Sequence, residues 1–157
     1  MLLRWRLSHI HGYVELGLLR QAAAELRAIP RAERNRPEVL PARMALHQAA
    51  GQWGPLRTAA RAWVKYRPED PAGWITWAYA ARRSVSLAAA ERILRRALRQ
   101  HPREATIYFN LGCYASRRGD QDAARILVAR AVALEKSFAE LALTDPDLEG
   151  LRADQKS

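Results

Sequence analysis

The chain has one cysteine, Cys113, and three lysines, Lys65, Lys136 and Lys156, in 157 residues. A single thiol excludes an intrachain disulfide and suits a reducing compartment. No stretch approaches the ~20 consecutive apolar residues of a membrane-spanning helix. The opening residues, Met1 to Arg6, are interrupted by Arg4 and Arg6 before a signal-type apolar run develops. These features read as a soluble, cytoplasmic, bacterial-type protein. The four histidines, His9, His11, His47 and His101, are scattered without metal-ligand spacing, and no glycine-rich phosphate loop is present. Cys113 has no sequence cue for a paired base. Catalysis therefore has no foothold. No catalytic residue, metal or cofactor is expected, and the chain does not read as an enzyme.

Charge of one sign is also scarce. Lys and Arg number 26 against 16 Asp and Glu, for a formal net charge of +10, and all but three of the basic residues are arginine. From Glu135 onward the balance reverses, so the body before it is more basic than the whole. A basic body with a mildly acidic tail points to an anionic partner, or to a tail lying over the body.

What is abundant is repetition. Trp74, Ala78, Ala90, Leu94, Ala97 and Pro102 form a pattern that recurs at a step of 34 residues. Ala90 steps to Ala22, Leu56 and Ala124. Leu94 steps to Leu26, Ala60 and Val128. Ala97 steps to Ile29, Trp63 and Ala131, and Trp74 to Leu40 and Tyr108. Gly17, Gly51 and Gly119 share one phase. Within each unit the apolar spacing predicts two helices. Turns are predicted at Gly51–Gly54, Ser84–Ser86 and Gly119–Asp120, with stops before Pro68 and Pro102. Small residues at Ala78, Ala90, Gly112 and Ala124 let paired helices approach, while Trp74 and Tyr108 fill the gaps between pairs. The segment Arg31–Arg36 reads as a polar connector. Phe138–Leu143 predicts a short helix. Asp145 then predicts an N-cap with Pro146 at the first helical position, followed by Leu148 and Leu151. This tail reads as a cap over the last apolar face.

The pattern resembles the tetratricopeptide repeat family. The resemblance covers residues 3–138 and is fullest in Trp74…Trp77-Ala78…Ala90…Leu94…Ala97…Pro102 and in Tyr108…Leu111-Gly112…Gly119…Ala124…Val128…Ala131. It departs from the family at His9 and Arg43, where Leu is usual, and at Lys136, where Pro is usual. It implies a single all-α domain over residues 1–157: a right-handed α-solenoid of four helix pairs (3–36, 37–70, 71–104, 105–138) with a C-terminal cap at 139–153. Members of the family bind extended peptides or partner helices in a concave groove. The matching positions here include Tyr79, Arg82, Arg83, Phe109, Asn110 and Arg117. The resemblance thus implies an adaptor or chaperone-like scaffold for another protein, presenting an acidic or C-terminal peptide segment or an amphipathic helix to these residues. The full carboxylate-clamp set of heat-shock-chaperone binders is absent, since Ser8, Ala42 and Thr76 stand where Asn110 does in the fourth unit.

A second surface follows from the same step. Arg27, Arg61 and Arg95 form one row on the second helices, and Arg31, Lys65 and Arg99 another. On the convex side these rows offer contacts to a polyanion, whether RNA, DNA or acidic lipid. No aromatic residues interleave them for base stacking, and a solubilising charged surface is the ordinary reading of such charges.

Overall fold

The computed structural model describes residues 2–157, and every regular element among them is helical. The helices are α1 (Leu3–Glu15), α2 (Leu19–Ala28), α3 (Leu40–Ala49), α4 (Trp53–Tyr66), α5 (Pro71–Ser84), α6 (Leu87–Gln100), α7 (Ala105–Arg117), α8 (Gln121–Leu134), α9 (Phe138–Thr144) and α10 (Glu149–Asp154). Short 3-10 turns lie at Arg31–Glu33 and Pro146–Leu148. The first eight helices fall in pairs at the 34-residue step, and the tail forms the short helices of the expected cap.

Three of the four turns within pairs use glycine for a conformation that other residues resist. Gly17, Gly51 and Gly119 have φ of 71, 65 and 87°. At the first turn the N–H of Gly17 donates to the Val14 carbonyl at 3.0 Å and that of Leu18 to the Tyr13 carbonyl at 2.8 Å. The second and fourth turns repeat this bonding, which closes the helix ends. In the third turn Val85 takes the glycine position with φ −128°. There the N–H groups of Val85 and Ser86 both donate to the Ala81 carbonyl. The second turn is tighter than the sequence suggests, because Trp53 and Gly54 already belong to α4.

The chain divides into two compact units, one ending at Ser86 and one beginning at Leu87. The division falls in the turn of the third expected pair. In the first unit, Ile10, Ala22, Leu26, Ile29, Val39, Ala42 and Leu46 form one buried cluster. Farther along, α4 packs on α5, and Leu56, Ala59, Ala60 and Val64 of α4 and Gly73 and Trp74 of α5 are buried. Gly73 is needed for contact, since a Cβ there would lie 2.6 Å from Cδ1 of Trp63.

In the second unit α7 packs between α6 and α8, and its residues Phe109, Leu111, Gly112, Cys113, Tyr114, Ala115 and Ser116 are buried. The tail folds back onto this helix and α8. Phe138 meets Phe109 with ring centroids 4.9 Å apart, and Leu148 and Leu151 are buried. Asp145 caps its turn by accepting from the Asp147 N–H at 2.9 Å. Arg152 then donates to the carbonyls of Ala142 and Asp145, at 2.9 and 3.0 Å.

One side-chain bond recurs in both units. The Trp74 indole donates to the Pro68 carbonyl at 2.9 Å, and the Tyr108 hydroxyl to the Pro102 carbonyl at 2.8 Å. Donors and acceptors are each 34 residues apart. The aromatic residue at this phase thus fills space and also ties the start of one helix pair to the carbonyl of the proline that follows the previous one.

Candidate functional site

The residues assigned to the groove lie on α5 in the first unit and on α7 in the second. On α5, Tyr79 is 40% exposed. Its ring meets Trp53 edge-on, with centroids 5.4 Å apart and planes at 82°. The Arg83 guanidinium lies over the same indole, 4.9 Å from its centroid. The two α5 residues are four apart, so they share a helix face, and α4 begins at Trp53 directly beneath them. Each supports the other through the indole, since cation–π and edge-on contacts both favour one ring position. Arg83 forms no ion pair among the described residues, so its charge remains available to a ligand. Arg82, next to it, is half-buried.

On α7 the residues divide. Arg117 is exposed, with Nε 3.7 Å from the Asp147 carboxylate. Asn110 is half-buried. Phe109 is 5% exposed and packs on Phe138. Its expected role as a surface anchor is corrected by this packing: α9 takes the face that Phe109 would offer to a partner. Cys113 and Ser116, on the same face, are buried with it.

The rows on the second helices are exposed. Arg27 lies on α2, Arg61 and Lys65 on α4, and Arg95 and Arg99 on α6. Arg95 is partly neutralised, because its guanidinium donates to Glu91 at 2.9 Å. Glu91 also receives Arg118. Burial pulls the Glu91 carboxyl upward, yet these two hydrogen bonds outweigh burial and hold it below the usual carboxylate range. Arg61, Lys65 and Arg99 have no such partner among the described residues.

Two groupings were not evident from sequence. The first is Trp53, whose place beneath Tyr79 and Arg83 depends on where α4 starts. The second is a basic cavity of ≈ 300 Å³ in the first unit, where Arg27 and Arg31 meet Arg34, Asn35, Arg43 and His47. Its sequence signal was Arg43, standing where the in-phase residues are Trp77 and Leu111. Among the described residues one group brings metal-ligating atoms together: Cys113 and the carboxylates of Asp145 and Asp147, within 4.8 Å of one another. Both carboxylates are already engaged, Asp145 by the Asp147 N–H and Asp147 by Arg117.

No protein-family model matches the sequence, and no curated protein matches it. Solved structures do. A MamA protein shares 16% identity across 96% of this chain and 84% of its own, with a TM-score of 0.77. A thermophilic TPR protein of Thermus thermophilus shares 21% identity across 96% and 86%, with a TM-score of 0.64. A MamA double mutant shares 17% across 84% and 74%, with a TM-score of 0.73. The chain has the tetratricopeptide fold. At these identities the likeness carries the arrangement of helices and says nothing of ligands. Among the described residues no helix is long and apolar enough to cross a membrane.

Proposed function

We propose that the chain is a protein-binding scaffold, and that Tyr79, Arg83 and Trp53 form the centre of its binding surface in the first unit. The exposed cation–aromatic cluster is the observation that carries this reading. Tyr, Trp and Arg are the residue types that concentrate binding energy at protein interfaces. Here they are pre-arranged by contact with one another, which lowers the ordering cost of binding. An arginine without an ion pair beside two aromatic rings suits an acidic side chain or a free C-terminal carboxylate flanked by an apolar residue. Arg82 adds charge on the same helix. In the second unit Arg117 is in phase with Arg83 and Asn110 with Thr76, and a ligand at Arg117 would compete with Asp147.

The second reading is polyanion binding through the exposed rows. It is supported by Arg61, Lys65 and Arg99, which form no ion pair among the described residues, and weakened at Arg95 by Glu91.

Affinity capture from the native cell with three baits separates the two readings. The baits are the unaltered chain, Tyr79→Ala/Arg83→Glu and Arg61→Glu/Lys65→Glu. A protein partner lost only with the α5 variant supports the scaffold. Retention of every partner by that variant rejects it. Nucleic acid lost only with the α4 variant, with binding that falls steeply as salt rises, supports the second reading.

A further inference from the structure

We propose that the first unit carries an oxyanion site, formed by Arg27, Arg31, Arg34 and Arg43 with Asn35 and His47, that takes the phosphate group of a small molecule. It is separate from the peptide surface on α5, and it shares Arg27 and Arg31 with the two rows but not their members on α4 and α6.

The starting point is Arg43. It is half-buried on α3, at a phase where Leu111 and Trp77 serve packing. A cation drawn partly out of water gains from an anionic partner. Here the two acceptors are neutral. One guanidinium nitrogen, Nη1, donates to Asn35 Oδ1 at 2.7 Å and to the Arg34 carbonyl at 3.1 Å. Burial, and secondarily the Arg34 charge, lower the Arg43 pKa, so the site presses two cations together.

Arg34 is held just as firmly and by equally neutral groups. Its Nε donates to the Ile29 carbonyl at 2.8 Å and its Nη2 to the Arg27 carbonyl at 2.7 Å. These are carbonyls at the C-terminal end of α2, where backbone acceptors are unsatisfied and the helix dipole favours a cation. The guanidinium is therefore fixed by the fold before any ligand arrives.

The nearest acids are turned to other work. Glu33 and Glu38 both pair with Arg36, at 3.5 and 2.8 Å. No carboxylate lines the cavity, and none of Arg27, Arg31, Arg34 and Arg43 forms an ion pair among the described residues. Nη1 of Arg34 and the Nε and Nη2 groups of Arg43 have no protein partner there, and none is a sealed, unsatisfied atom. Fixed forks with spare donors match the geometry of phosphate oxygens. The volume of ≈ 300 Å³ lies at the lower end of the roughly 300–1,000 Å³ of small-molecule sites, which leaves room for an organic substituent on the anion.

Isothermal titration of the full chain with inorganic phosphate and with adenosine monophosphate, at constant ionic strength set with chloride, tests the site. Variants are Arg43→Leu, which restores the residue usual at this phase, Arg31→Gln, which lies on the cavity rim, and Arg61→Gln/Lys65→Gln as a control. Arg34 is left intact because its side chain closes α2. The expected result is saturable binding weakened at least tenfold by Arg43→Leu and by Arg31→Gln, and unchanged in the control. Equal affinity for the two ligands identifies the free anion as sufficient; tighter binding of the ester places its substituent in the remaining volume. Absence of saturable binding by either ligand overturns the proposal. So does binding that survives both cavity variants, or binding that the α4 control removes.

Discussion

The Trp63 indole donates to one oxygen of Asp70 at 2.9 Å, while the other oxygen of the same carboxylate accepts the Ala72 N–H at 3.0 Å. One side chain thus caps α5 and fixes the ring against which Gly73 packs. Removing it in Asp70→Ala forfeits a cap and an indole bond, and we expect a loss of about 1–3 kcal/mol. Asp70→Asn keeps one acceptor oxygen and should lose less. Urea denaturation of both variants measures the order; equal stability of Asp70→Ala and the unaltered chain would contradict the dual role.

The glycines at helix contacts should behave oppositely from the one that faces space. A Cβ at Gly112 would lie 2.7 Å from Val128 Cγ2 and 3.3 Å from the Val128 backbone nitrogen, where α7 and α8 meet. Gly112→Ala should destabilise by roughly 1–3 kcal/mol through overpacking. Gly12, inside α1, has nothing within 4 Å of its Cβ position. Gly12→Ala should stabilise by roughly 0.5–1 kcal/mol, because alanine loses less freedom in a helix. Thermal melts of the pair give the two signs directly.

Glu91 and His47 should contribute to acid sensitivity in separate pH windows. Glu91 is held below its usual value of 4.5. Its contribution to stability is complete above pH 4.5 and is lost as pH falls through the lower, folded value. Burial depresses His47 below 6.5; the Gln52 hydrogen bond opposes this and Arg43 reinforces it. Its neutral form is therefore favoured by folding. That contribution is complete above pH 6.5 and declines below it, because the unfolded chain takes up the proton first. Glu91→Gln should flatten the more acidic part of the stability profile and His47→Gln the part just below pH 6.5. Urea midpoints measured across the acid range distinguish them.

Arg152 gathers two carbonyls: that of Ala142, in the last turn of α9, and that of Asp145, which also accepts the Leu148 N–H at 3.1 Å. Arg152→Ala should loosen the tail by about 1–2 kcal/mol, since bonds to a charged donor exceed the ordinary value. Hydrogen exchange should then rise in residues 138–154 while the cluster around Ile10 and Leu26 stays protected. Uniform change in both places would show that the tail does not open locally.

Much of this fold was legible because its packing residues must repeat. Ala124 sits where α7 and α8 meet, and Trp74 and Tyr108 make the same bond to a proline carbonyl, so the 34-residue step records real contacts. The start of α4 was less legible. Gly54 and Pro55 look like breakers, yet proline is tolerated in a first turn. Phe109 was misplaced because the period assigns it the face that a repeat offers outward, whereas the last pair is met by the chain's own tail. The gathering around Arg43 showed in sequence only as an out-of-place residue. Its company depends on which carbonyls end α2 and on how the connector returns, and neither has a periodic signal.

The three glycines of the turns carry a stereochemical consequence. A backbone with φ between 65 and 87° is natural to a D-amino acid, and glycine stands in for a residue that translation does not supply. Chemical ligation of D-alanine at position 17 or 119 should keep the turn and restrict the unfolded chain, raising stability as a well-placed loss of freedom does. At Val85, with φ −128°, the same inversion works against the backbone. Of the two repeats that look most complete in sequence, one thus has a turn of ordinary handedness.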